Sequence, residues 1–148
     1  MSMSVKQEST PTWVQSWLDA WNERDGAAIN AHLASDVVYQ DMTLGERFES
    51  PEAVRAFADE MTTTFSSDYG FIGGPQSVSG DDSYAFEWTL TGTNDCADPQ
   101  RGLPATGKKF EIPGISIGRL RDGKIVENRD YWDLAGYLMQ VGLMEQPG

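Results

Sequence analysis

The chain has 148 residues and a mass of 16.4 kDa, enough for one domain with a real core and too little for two of ordinary size. Eleven Lys and Arg stand against 23 Asp and Glu, a net charge of -12, which excludes a basic surface for nucleic acid or anionic lipid. A single cysteine, Cys96, excludes an intrachain disulfide and a thiolate metal cluster.

Met1 to Thr10 lacks the apolar centre of a signal peptide, and no stretch approaches the length of a membrane span. A disordered leader over 1–10, one domain over 11–145 and a soluble, cytoplasmic protein are the expectation. Ser9-Thr10-Pro11 then reads as a helix start with the proline in the first turn, followed by Trp13, Trp17, Leu18 and Trp21 at helical spacing. Such a stripe is ordinarily core, and it also lines a ligand if the core is hollow.

Asp25-Gly26 restarts the chain into a short second helix that carries His32. A lone histidine without a second His or a Cys/Glu pattern has no metal-site spacing, so neither a metal nor a cofactor is expected. Asp36 to Asp41 reads as a strand with Tyr39 and Asp41 on one face, and Asp41 serves either chemistry or the turn that follows. Ser50-Pro51-Glu52 opens a third helix whose stripe of Val54, Phe57, Ala58, Met61 and Phe65 reads as purely structural.

Strands follow over Phe71 to Ser79 and Ser83 to Thr93. The loop from Asn94 to Gly107 either gates a pocket or only connects. Phe110 to Leu120 and Lys124 to Trp132 form a hairpin about Asp122-Gly123, and a short helix capped by Asp133 stops at Gly142. Helices segregated from a run of antiparallel strands predict an α+β fold. The sheet would be strongly curved around the N-terminal helices, a cone with an apolar pocket.

In the last strand Val126, Asn128, Asp130 and Trp132 alternate against Ile125, Glu127, Arg129 and Tyr131. A carboxylate on the more apolar face is costly unless it is paired or its pKa moves, which makes Asp130 the first candidate for chemistry. Two hairpin registers are open. A two-residue loop sets Ile115 opposite Asp130, whereas a three-residue loop with a bulge sets Ser116 opposite Asn128 and Gly114 opposite Asp130. The second is preferred because it gathers Phe110, Ile112, Gly114, Ser116, Val126, Asn128, Asp130 and Trp132 on one face and sends the charges to the other. The glycines would leave room for a ligand beside the carboxylate.

With these residues placed, the chain resembles the SnoaL-like polyketide cyclases of the nuclear-transport-factor-2-like superfamily. The carriers are Trp17 to Asn22, Asp36 to Asp41, Gly92-Thr93, Leu103 to Lys108, Asp122 to Asp133 and Gln140 to Leu143. The resemblance implies that Asp130 is the general acid/base of an aldol closure, helped by a histidine whose position is Ser116 here. Ketosteroid isomerases are similar at Asp41, their general base, but their oxyanion donors fall on Trp17 and Ser116. Limonene epoxide hydrolases share the Arg129-Asp130-Tyr131 motif and a tyrosine at Tyr39. Their Arg and second Asp fall on Trp88 and Leu90, and their Asn on Asp41, so epoxide hydrolysis ranks third.

The leading expectation is cofactor-independent acid/base chemistry on a small hydrophobic carbonyl compound by Asp130, Asp41 and Tyr39. Trp17, Trp21, Trp88, Leu90, Phe110, Ser116, Asn128 and Trp132 would contact the substrate. The alternative is a non-catalytic ligand-binding or dimerisation module, and a homodimer is expected through the outer sheet face with Ile115, Ile117 and Tyr131.

Overall fold

The computed structural model describes residues 11–145, so the leader expected over 1–10 lies outside the described residues. Helix α1 (Thr12–Asn22) starts at Pro11, which is the N-cap itself rather than a first-turn residue, and its carbonyl accepts from Val14 and Gln15 N–H. Val14, Trp17, Leu18, Ala20 and Trp21 are the buried face. Asp25 caps α2 (Gly26–Ala31) by accepting from Ala28 N–H, and His32 closes the helix. Strand β1 (Leu33–Asp41) therefore begins three residues earlier than its pattern suggested.

A turn at Met42 to Gly45 leads into β2 (Glu46–Phe48), three residues too short to carry a readable alternation. Helix α3 (Pro51–Thr64) begins at Ser50, whose hydroxyl accepts from Ala53 N–H, with Pro51 in the first turn. β3 (Gly70–Ser79), β4 (Ser83–Thr93), β5 (Lys109–Arg121) and β6 (Lys124–Trp132) complete the sheet, and α4 (Leu134–Gln140) follows under the Asp133 cap.

The six strands lie in the order β2-β1-β6-β5-β4-β3 and do not close into a barrel. Each neighbouring pair is antiparallel except β1 and β6, which run parallel. This α+β arrangement sets the helices on the face where Tyr39, Phe86, Trp88, Leu90, Phe110 and Ile112 are buried.

The β5–β6 hairpin corrects the register. Asp122 and Gly123 both have positive φ, 53° and 76°, the two-residue turn whose twist suits the strands. Arg121 pairs with Lys124 and Leu120 with Ile125, and then the register slips so that Arg119 pairs with Glu127. Val126 is the extra residue and Ile125 takes the core position, opposite to the alternation read from the sequence. Beyond the slip, Ser116 stands opposite Asp130, Gly118 opposite Asn128 and Gly114 opposite Trp132.

The glycines do not leave ligand space. A Cβ on Gly114 would lie 2.3 Å from the Trp88 ring, and one on Gly118 would lie 2.4 Å from the Tyr84 hydroxyl and 2.1 Å from the Glu127 carbonyl. The missing side chains let those two aromatics lie against the strand.

Candidate active site

Asp130 sits on β6 between two strands that each present an inward side chain at its level, Asp41 on β1 and Ser116 on β5. Its Oδ1 accepts from Ser116 Oγ at 2.6 Å and from Asn128 Nδ2 at 2.8 Å, and its Oδ2 accepts from the Tyr39 hydroxyl at 2.5 Å. Behind these stands another layer of donors. Trp88 Nε1 donates to Ser116 Oγ at 2.9 Å, and the Tyr84 hydroxyl donates to Asn128 Oδ1 at 2.6 Å. Those are the two aromatics that Gly114 and Gly118 admit, so the bare stretches of β5 orient the partners of Asp130.

Two effects compete at this carboxyl group. Three hydrogen bonds favour its charged form, while burial among aromatic rings and the nearby Asp41 favour the neutral one. Burial dominates, and the pKa is pushed up to about 6. Asp41 is also raised, mainly by burial, although Leu44 N–H at 2.9 Å and Trp132 Nε1 at 3.1 Å donate to it. It thus both caps its turn and faces the cavity. Tyr39 is held well above the ordinary phenol range by burial and by the Asp130 charge, so it stays protonated and donates to Asp130.

A cavity of about 360 Å³ opens over these groups. Its floor is Tyr39, Asp41, Asp130 and Trp132, its walls include Trp21, Phe57, Met61, Phe71, Trp88 and Leu90, and its rim includes Glu46, Glu60, Asp98 and Arg101. The size suits a small molecule, and apolar walls with a few convergent polar groups are the usual make-up of such a site.

Of the residues singled out in the sequence, Tyr39, Asp41, Asp130, Trp21, Trp88, Leu90 and Trp132 line this cavity. The other four expected contacts stand back from the space. Ser116 and Asn128 are buried behind Asp130, Trp17 packs against Trp21, His32 and Tyr39, and Phe110 packs on Phe65 and Tyr137.

Helix α3 is not merely structural, because Phe57, Glu60, Met61 and Thr64 line the cavity. Its stripe showed which side turns inward, but not that the inside is hollow. The loop after β4 does more than connect, since Asp98 to Arg101 form part of the rim and Arg101 ties them to β2 through Asp98 at 2.7 Å and Glu46. Among the described residues, no group of three or more His, Cys, Asp or Glu side chains is placed to hold a metal ion. No described helix is long and apolar enough to cross a membrane.

Comparisons with known proteins agree with this architecture. A ketosteroid isomerase-like fold from Catenulispora acidiphila, solved with trimethylamine, superposes with a TM-score of 0.78 at 20% identity, covering 94% of this chain and 100% of its own. IdmH of Streptomyces antibioticus, described as a proposed polyketide cyclase, gives 0.74 at 24% identity over 87% of this chain and 95% of its own. A proposed polyketide cyclase from Xanthomonas campestris gives 0.72 at 29% identity, covering 86% and 93%. The model of the SnoaL-like domain matches residues 14–128, most of the chain, and the protein belongs to that family.

Proposed function

We propose that the protein is a cofactor-independent acid/base catalyst that removes and returns a proton next to the carbonyl of a small hydrophobic compound, in a cyclisation or isomerisation. The observation that carries this reading is the Asp130 carboxyl group, poised near pKa 6 at the floor of an apolar cavity, where one group can both take and give a proton. Family membership and the neighbouring cyclases support the class of reaction, and the small amine held by the Catenulispora protein supports a small-molecule cavity.

Oδ1 already accepts two hydrogen bonds and Oδ2 only one, so Oδ2 is the atom with capacity left for a substrate proton. Once Oδ2 is protonated, the Tyr39 hydroxyl no longer faces an anion. It is then free to donate to the oxygen of the enolate that has just formed, so the proton leaving carbon releases its own stabiliser.

Deuterium incorporation at the carbon next to the carbonyl, followed by NMR across a panel of polyketide-like ketones in deuterated buffer, tests this. Only ionised Asp130 accepts a proton. The enzymatic rate should therefore climb about tenfold per pH unit on the acid side and level off above pH 6. A flat profile from pH 4 to 8 would remove Asp130 from the reaction.

One observation favours a non-catalytic ligand-binding module as the second reading, namely that three protein donors already satisfy Asp130. The outer sheet face is proposed as a homodimer surface in either case. Ile115, Ile117 and Tyr131 are 36%, 38% and 43% exposed there, on adjacent strands β5 and β6. Sedimentation should show a dimer that Ile117→Glu dissociates, and a monomer at every concentration would discard the proposal.

A further inference from the structure

We propose that the compound taken by this cavity carries a positively charged amine, a tertiary or quaternary ammonium, which sits between Asp41 and the aromatic walls. The proposal rests on the acid/base reading and narrows its substrate. Five carboxylates line the space, Asp41 and Asp130 on the floor and Glu46, Glu60 and Asp98 on the rim, against one guanidinium, Arg101. Arg101 is committed, since one of its terminal nitrogens bonds Asp98 at 2.7 Å and the other pairs with Glu46. Its positive charge is thus shared between two rim carboxylates.

Asp41 is 6% exposed, and the donors that the structure gives it are the neutral Trp132 indole and the Leu44 amide, with Arg101 a positive charge that acts on it from the rim without bonding to it. A buried carboxylate with only neutral donors gains most from a cation beside it. The walls suit the same guest, because they include the indoles of Trp21 and Trp88, and aromatic rings attract an ammonium group.

The proton transfer itself makes the same demand. Taking a proton from carbon places an oxyanion in a cavity that already holds Asp41, and the protein offers it only neutral donors. An ammonium on the substrate offsets that charge and acidifies the neighbouring C–H bond. A neutral substrate supplies neither effect, and an anionic one meets like charge at the floor.

Choline and its carbon isostere 3,3-dimethylbutan-1-ol differ in this charge and little in shape. Titrated into the full-length protein and followed by the fluorescence of Trp21, Trp88 and Trp132, choline should bind at least about tenfold more tightly. Asp41→Asn should shrink that ratio. Equal affinities, tighter binding of the alcohol, or no binding by either compound would overturn the proposal. The wild-type ratio is decisive by itself, so a variant that failed to fold would not leave the question open.

The two readings fail separately. Equal affinities, with proton exchange still lost in Asp130→Asn, would sink the ammonium and keep the acid/base role. A strong choline preference with exchange indifferent to Asp130→Asn would do the reverse.

Discussion

Asp130→Asn should lower the rate of proton exchange by about a thousandfold, because the amide keeps the shape of the carboxylate but cannot accept a proton from carbon. The same change should make the protein more stable in alkaline buffer. Burial raises the folded-state pKa of Asp130 from 3.8 to about 6, so the folded protein holds this proton more tightly than the unfolded chain does. That advantage is complete below pH 3.8 and is lost as pH rises through 6. Above it, the buried charge costs about 3 kcal/mol.

Asparagine carries no such charge, and its Oδ1 still accepts from Ser116 and Asn128. Denaturant unfolding at pH 5 and pH 8 should therefore show a gain of up to about 2 kcal/mol, larger at pH 8. Lost activity together with a loss of stability at pH 8 would mean that Asp130 is a structural acceptor, as the binding-module reading holds.

Tyr39→Phe is the second large effect. It deletes the one donor on Oδ2, the 2.5 Å bond, and keeps the ring that stacks on Trp21 at 6.1 Å. A hydrogen bond to a charged group is worth about 1.5–3 kcal/mol, so the Asp130 pKa should rise by roughly one to two units. Two consequences follow for exchange. The pH at which the rate levels off moves to the alkaline side, and the plateau falls by about a hundredfold because the enolate loses its donor. A variant with the wild-type plateau and an unmoved inflection would show that Tyr39 only packs.

Much of this site was legible in the sequence, and the parts that were not share a cause. Alternation set the limits of β4 and β6 to the residue, because Tyr84, Phe86, Trp88 and Leu90 repeat every second position and Asp122-Gly123 marks the turn. Asp130 stood out because a charge on an apolar face needs a reason. Of the partners of Asp130, Tyr39 was suggested by family resemblance and by no local pattern around the aspartate. Tyr39 lies 91 residues away in sequence, and reaches Asp130 only because β1 runs parallel to β6.

A local pattern carries no record of such a pairing. The bulge at Val126 was hidden for a related reason, since Ile125 and Val126 are equally apolar and either could face inward. Helix α3 disclosed its face but not the emptiness opposite it.

Gly114, Trp88 and Ser116 form one unit, in which the absent side chain at 114 lets the indole reach the serine hydroxyl. A larger side chain put at position 116 alone would press on the indole that now donates to the serine. Positions 88, 114 and 116 therefore answer to one another, and a change at any of them reaches Asp130 through the Ser116 hydroxyl.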